Sequence, residues 1–173
     1  DDLLALAQNN FYAEVDPNSI RAIIVPHAGF YYSGLCAATT YQSLLATKNL
    51  NSSDLKNKTV SRVIILSPSH TTYFDGIALP DYSMYKTPLG TLETDHEALK
   101  KLSLNSTFKV FGKAHEREHA IEIQLPFLQK TIGLFSIIPL VVGNIKNMQE
   151  LESITKSLKQ IIDEKTLIVI SSD

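Results

Sequence analysis

Histidines at the ends of apolar runs are the residues of this chain best placed to do chemistry. Arg21-Ala22-Ile23-Ile24-Val25 leads into Pro26-His27-Ala28-Gly29, and Arg62-Val63-Ile64-Ile65-Leu66 leads into Ser67-Pro68-Ser69-His70. A third run, Leu167-Ile168-Val169-Ile170, ends in Ser171-Ser172-Asp173. Neutral imidazole is the commonest metal ligand near neutral pH, and two imidazoles with one carboxylate and open positions form the facial arrangement of non-haem Fe(II) oxygenases. By position His27 and His70 are the imidazoles of such a set. Asp173 is a candidate carboxylate, or a group that orients a ligand. The plain alternative is that both histidines only close hydrogen bonds within their loops.

A second constellation lies between residues 115 and 122. His115-Glu116-Arg117-Glu118-His119 matches the zinc-protease pattern H-E-x-x-H, in which histidines one helical turn apart hold zinc and the glutamate acts as base. Gly112-Lys113-Ala114 precedes it in place of an apolar approach, and charged Arg117 follows Glu116, both of which argue against a protease. On a helix, Glu118 and Glu122 share a face one turn apart, with His119 beside them. That stripe can point over a sheet rim toward His27 and His70, making Glu118, Glu122, His119 and Asp173 the candidate catalytic groups, with His119 as acid, base or hydrogen-bond donor. It can equally be a solvated first turn favoured by the helix dipole. Tyr31, Tyr32, Tyr73 and Phe74 flank the histidine loops, and Tyr32 with Ser69 is a candidate lining for a substrate pocket. Cys36 reads as a small core residue of a helix, and His96 as an exposed helix start.

The elements that must position these residues alternate. The two β-branched runs read as interior strands of a parallel sheet, and in open α/β sheets ligands gather outside the carboxyl ends of such strands. Ser33 to Leu45 is a helix with Ser33 as its cap and Leu35, Ala38, Leu44 and Leu45 on its apolar face. Asn49 to Thr59 is a polar surface connection. Asp75 to Pro80 suggests a short strand, Met84 to Leu92 a pair of turns or an edge hairpin, and Phe108 to Phe111 another short strand. Thr94 or Asp95 caps a helix running to about Ser103. Arg117 to Lys130 reads as helical, bent or ended by Pro126. Phe135 to Val142 is a strand whose Pro139 favours an edge, a bulge or a strand start. Met148, Leu151, Ile154, Leu158, Ile161 and Ile162 recur at helical spacing opposite Glu150, Lys156 and Lys159. Strand and helix in alternation predict an α/β layered domain over residues 1–173. A chain ending just after a parallel strand is expected to continue into a covering helix, so the sequence reads as a fragment truncated at its C-terminus.

Composition excludes several classes. With 173 residues, 44% hydrophobic and 20% charged, the chain has an ordinary globular balance. A net charge of −2 without a basic patch argues against a nucleic-acid partner. No apolar stretch reaches the length of a membrane span, and one cysteine permits no internal disulfide. A cytoplasmic protein is expected, and the oligomeric state is left open. There is no G-x-G-x-x-G, no Walker loop and no G-x-S-x-G elbow, so nucleotide binding and serine hydrolysis lack support.

Four blocks carry a family resemblance in order: Pro26-His27-Ala28-Gly29-Phe30 with Tyr32-Ser33-Gly34, then Leu66-Ser67-Pro68-Ser69-His70, then Glu118-His119-Ala120-Ile121-Glu122-Ile123-Gln124-Leu125-Pro126-Phe127-Leu128, then Ser171-Ser172-Asp173. Together they resemble the Memo family, itself similar to the class III extradiol dioxygenases, which carry non-haem iron on a related α/β fold. The resemblance implies a mostly parallel central sheet flanked by helices and a pocket able to hold iron or copper, with zinc as a further option. It also implies a metal-dependent redox, dioxygenase-type activity. The family's association with signalling implies an alternative, a non-enzymatic pocket for a small molecule or peptide. Family members are longer, and their last segment supplies another pocket residue, often a cysteine.

Overall fold

The computed structural model describes residues 2–8, 19–45 and 60–173. In chain order the elements are α1 (Asp2–Gln8), β1 (Ala22–Val25), α2 (Phe30–Leu45), β2 (Arg62–Pro68), β3 (Ile77–Leu79), β4 (Met84–Thr87), β5 (Gly90–Glu93), α3 (His96–Leu102), β6 (Phe108–Val110), a 3₁₀ turn (Gly112–Ala114), α4 (His119–Glu122), α5 (Leu125–Thr131), β7 (Ser136–Val142), α6 (Met148–Lys159) and β8 (Thr166–Ser171). The expected Asn49–Thr59 connection lies outside the described residues. Six strands form one sheet in the order β1-β8-β2-β7-β3-β6. Every neighbouring pair is parallel except β3 with β7. β4 and β5 make a separate antiparallel hairpin.

Two-residue alternation along each strand builds two cores. Ile23, Val25, Val63, Ile65, Ile137, Val141, Leu167 and Val169 face the side covered by α1, α2 and α5. Ile64, Ile138 and Leu140 face α3 and α6. Because β1, β2 and β8 run parallel, all three deliver their carboxyl ends to one rim. Continuing the first face by two residues reaches His27, Ser67 and Ser171, which are 3%, 2% and 2% exposed. The sheet thus carries an apolar face into a buried polar row at that rim.

Several expectations shift in detail. Helix α2 begins at Phe30, three residues before Ser33, whose hydroxyl instead donates to Ala28 O at 2.8 Å and ties the helix to the His27 loop. Its buried stripe is Gly34, Ala37, Ala38, Tyr41 and Leu44, so Leu35 and Cys36 lie off it and are exposed. Gly34 belongs to the stripe because α1 approaches closely there: an added Cβ would stand 2.8 Å from Leu3 Cδ1. Asp95 caps α3 as expected, accepting from Ala98 N. The helix expected from Arg117 begins at His119 and is interrupted after Glu122; Pro126 opens α5, where its missing donor costs nothing. Helix α6 buries Ile154 and leaves Met148 and Leu151 exposed, and Ile161 is buried in the turn just past its end.

Pro139 is a correction with a clear cause. It stands in the middle of β7, which lies between β2 and β3, rather than at an edge, bulge or strand start. Ile137 O accepts from Asp95 N, and Val141 pairs with Ala78. By the alternation of the ladder Pro139 faces that same side, between those two pairings, where no N–H is called for.

Candidate metal centre

Loops after β1 and β2 and the start of α4 bring three imidazoles together. The ring centroids of His27 and His70 are 5.0 Å apart, those of His70 and His119 also 5.0 Å, and those of His27 and His119 5.8 Å. His70 and His119 lie nearly parallel, at 26°. His27 is buried, whereas the side chains of His70 and His119 are 40% and 54% exposed. The cluster therefore opens to one side only.

Glu118 is the pivot. As the N-cap of α4 it has extended backbone, with φ −94° and ψ 112°, so helical spacing does not govern its direction. Its side chain turns inward and is fully buried. Oε1 accepts from Ala120 N at 2.9 Å and from the His70 imidazole at Nδ1, also 2.9 Å, while Oε2 accepts from His70 N at 2.8 Å. Burial by itself raises the Glu118 pKa, but the bonds from the His70 amide, the Ala120 amide and the His70 ring outweigh it and hold the carboxyl below its ordinary value. Since the carboxylate can only accept, His70 carries a proton on Nδ1, and Nε2 is the ring nitrogen left for a ligand. The stripe expected from Glu118 and Glu122 is accordingly not formed: Glu118 is buried and Glu122 exposed.

His27 is held differently. Its ring Nδ1 lies 3.1 Å from Ser171 Oγ. Asp173 Oδ1 accepts from the His27 amide at 2.8 Å and from the Ala28 amide at 3.3 Å, while Oδ2 stands 3.5 Å from His27 Nε2. Burial is the main influence on His27 and lowers its pKa; Asp173 opposes this, and the neighbouring His70 and His119 add to it. The ring is thus favoured neutral. The Asp173 carboxyl lies below its ordinary value chiefly because the His27 amide donates to it. Behind His27 stand residues that sequence reasoning missed. Gln124, fully buried, donates to Ser171 Oγ and Pro26 O and accepts from Tyr41 OH. Besides its place in the Ser171-Ser172-Asp173 block, the sequence signal for Ser171 is its phase, since it continues the buried alternation of Leu167 and Val169.

The remaining candidates separate from this cluster. The Ser69 hydroxyl donates to Thr72 O at 2.5 Å and so shapes the turn that presents His70. Tyr32 is 84% exposed against Tyr31 in the first turn of α2. The zinc-protease pattern fails on geometry, because residues 115–117 form a turn rather than a helix. His115 is buried, with Nε2 3.1 Å from Ala78 O and Nδ1 3.5 Å from Tyr85 OH. Burial lowers its pKa more than the Ala78 bond raises it. It is a structural histidine.

Among the described residues, His70, Glu118 and His119 each offer a ligand atom within 4.8 Å of the others, a group that could hold a metal ion; His27 stands beside this group. A mostly parallel sheet flanked by helices, with such a cluster at its carboxyl rim, defines a layered α/β protein with a metal-capable site at its strand ends. The chain belongs to the Memo family: the family model described as Memo-like protein matches residues 1–173. Similar proteins include the protein memo-1 homolog of Caenorhabditis elegans, 35% identical over 156 residues covering 88% of this chain and 41% of the relative. Protein MEMO1 of Homo sapiens is 35% identical over 158 residues, 88% of this chain and 50% of the relative. A MEMO1 family protein of Nitrosopumilus maritimus is 31% identical over 157 residues, 89% and 53% respectively. The chain spans about half the length of these relatives.

Proposed function

We propose that the carboxyl-rim cluster is a metal-binding pocket in which His27 and His70 are the imidazole ligands, Asp173 is a carboxylate ligand or orients one, and the ion is iron or copper. The observation that carries this reading is the Glu118–His70 pair. A metal-bound histidine almost always donates its other ring N–H to a carboxylate or carbonyl, which fixes its tautomer and direction. Glu118 does this for His70 at 2.9 Å. The donor set also fits: imidazole nitrogens and a carboxylate held ionised suit a redox-active divalent ion.

When bound, iron or copper supplies one-electron redox capacity for a dioxygenase-type oxidation, and the chain's residues supply the rest. Glu118 orients His70 and, buried with three donors on its oxygens, is a positioning residue rather than a proton carrier. His119, half exposed and stacked on His70, is the group placed to give or take a proton at a bound ligand. Glu122, exposed on the same short helix, lies on the open side. The partner on this reading is a small molecule or peptide, in the cytoplasm. No helix among the described residues is long and apolar enough to cross a membrane, and the net charge of −2 gives nucleic acid no footprint.

The test is anaerobic loading with Fe(II), Cu or Zn of wild type, His27→Ala, His70→Ala, His119→Ala and His115→Ala. Near-stoichiometric metal in wild type and in His115→Ala, lost in the first two variants, supports the pocket and justifies an oxygen-consumption screen. Retention in His27→Ala with loss in His119→Ala moves the ion to the His70, Glu118 and His119 group. A second reading, a non-enzymatic ligand- or peptide-binding pocket, has one observation in its favour. Tyr31, Tyr32 and Tyr73 are 94%, 84% and 87% exposed on the loops and helix start next to the histidines. Metal-free protein in every arm of the loading series puts that reading first.

A further inference from the structure

We infer that Ser171 and Gln124, backed by Tyr41, form a buried relay that holds His27 in the Nδ1–H tautomer and turns its Nε2 lone pair toward Asp173 and the open side of the rim. The argument is one of hydrogen counting. A serine hydroxyl has one hydrogen and two lone pairs. Ser171 Oγ has three neighbours: Ala120 O at 2.7 Å, Gln124 Nε2 at 2.9 Å and His27 Nδ1 at 3.1 Å.

Ala120 O can only accept, so the hydroxyl hydrogen lies between Ser171 and Ala120. The alternative leaves two oxygens 2.7 Å apart with no proton between them. The Gln124 amide must donate to Ser171, because the Pro26 carbonyl fixes its orientation. Its nitrogen faces Pro26 O, an obligate acceptor, at 3.1 Å, and its oxygen accepts from Tyr41 OH at 2.9 Å. One lone pair of Ser171 remains, and it faces His27 Nδ1. That nitrogen must bring the proton.

Every member of the relay is buried, and each end of it rests on a group with a single role. Tyr41 and Gln124 are 0% exposed and Ser171 2%. The two carbonyls that set its polarity belong to the residue preceding His27 and to the second residue of α4, so the orientation of His27 is tied to both elements that bring histidines to the rim. The consequence lies at Nε2, which stands 3.5 Å from Asp173 Oδ2. With Nδ1 protonated in the neutral ring, these two acceptors face each other without a shared proton, an arrangement a cation relieves. His70 reaches the same state through a charged partner, Glu118, and His27 reaches it through neutral ones.

This purpose rests on the reading of His27 as a metal ligand; the tautomer itself does not. The first test is long-range ¹H–¹⁵N correlation on histidine-labelled, metal-free wild type, at a pH where His27 is neutral. The expected pattern is protonated Nδ1 and bare Nε2. Ser171→Ala shifts His27 toward the Nε2–H form, Ser171→Thr retains the wild-type pattern, and Tyr41→Phe gives a smaller shift than Ser171→Ala. Zinc affinity, read by competition with a chromophoric chelator, falls about 10–100-fold in Ser171→Ala and recovers in Ser171→Thr. A protonated Nε2 in wild type, or a tautomer unmoved by Ser171→Ala, overturns the relay even where wild type binds zinc through His27. The expected tautomer and its shift in Ser171→Ala, in a protein that takes no metal, uphold the relay and defeat the metal reading instead.

Discussion

The two rims of the central sheet handle polar groups in opposite ways. At the amino rim, where β2 and β8 begin, Arg62 is shared among several acceptors: Asp95 Oδ2 at 2.6 Å, Ile161 O at 2.9 Å and Asp163 Oδ2 at 3.2 Å. Arg21 closes the neighbouring strand entry on Glu164 O. Charges there are matched and their donors engaged, and the product is a clamp joining β2, the cap of α3 and the turn before β8. At the carboxyl rim the His27 and His70 rings are hydrogen-bonded through Nδ1 alone, and His27 Nε2 stands 3.5 Å from the Asp173 carboxylate. Matched charge makes that end of the sheet a structural junction. Unmatched acceptors, held by buried partners, make the other end a place for a ligand.

Breaking the clamp is expected to give the largest effect, and on stability alone. Arg62→Leu removes a guanidinium whose side chain is 26% exposed and strands Asp95, 13% exposed; losing this part-buried pair together with the Ile161 and Asp163 contacts costs about 2 kcal/mol. Urea unfolding reads the loss, while metal bound per folded molecule stays at the wild-type value. A matching fall in metal affinity would show the rims to be coupled and the contrast wrong. Glu118→Gln probes the other rim. An amide beside the His70 ring cannot accept at both positions that the carboxylate serves, and metal affinity should drop about 10–100-fold. If zinc competition shows no change, Glu118 does not orient a ligand.

What was legible in the sequence follows from the range of each interaction. His27, His70 and Asp173 announce themselves because a β-branched run ending in Pro, Ser or Gly marks a strand end, and parallel strands share a rim. The α3 cap was legible for the same local reason, with Asp95 accepting from Ala98 N, whereas Ser33 misled as a cap because α2 begins at Phe30. The direction of Glu118 was not. A residue at the N-cap lies outside the helical periodicity that was used to place it, and its partner is 48 residues away. Gln124 and Tyr41 are 83 residues apart and meet only when α2 and α5 pack on one face. The phase of α2 was half legible: Ala38 and Leu44 are buried as expected, but the stripe continues through the small Gly34 and Ala37 while the bulkier Leu35 and Cys36 look outward. Pro139 misled because its missing donor matters only if a neighbour needs it, which depends on where β3 and Thr94 meet β7.

The smallest expected effect sharpens the comparison most, because it separates charge from shape at the amino rim. Burial by itself raises the Asp95 pKa, but the Ala98 amide, the Arg62 guanidinium and the Glu97 amide more than reverse that and leave it below the usual 3.8. A carboxyl whose folded pKa is depressed stabilises the protein fully above its unfolded value, and the contribution is lost as pH falls through the folded value. Asp95→Asn keeps an oxygen able to accept from Ala98 N, since asparagine caps helices as well as aspartate, and puts an amide nitrogen where Oδ2 accepted from Arg62 Nε, so the charge and that acceptor go together while the shape stays. Wild type should therefore exceed Asp95→Asn near neutral pH, by less than about 1 kcal/mol for a pair still partly open to solvent. Urea midpoints of the two proteins should begin to converge as pH approaches 3.8 and coincide below the depressed value, because protonated aspartate and asparagine then present the same neutral face to Arg62. A gap that persists in acid would mean that the clamp works through the fit of the aspartate side chain. The amino rim would then differ from the carboxyl rim in packing rather than in how its charges are matched.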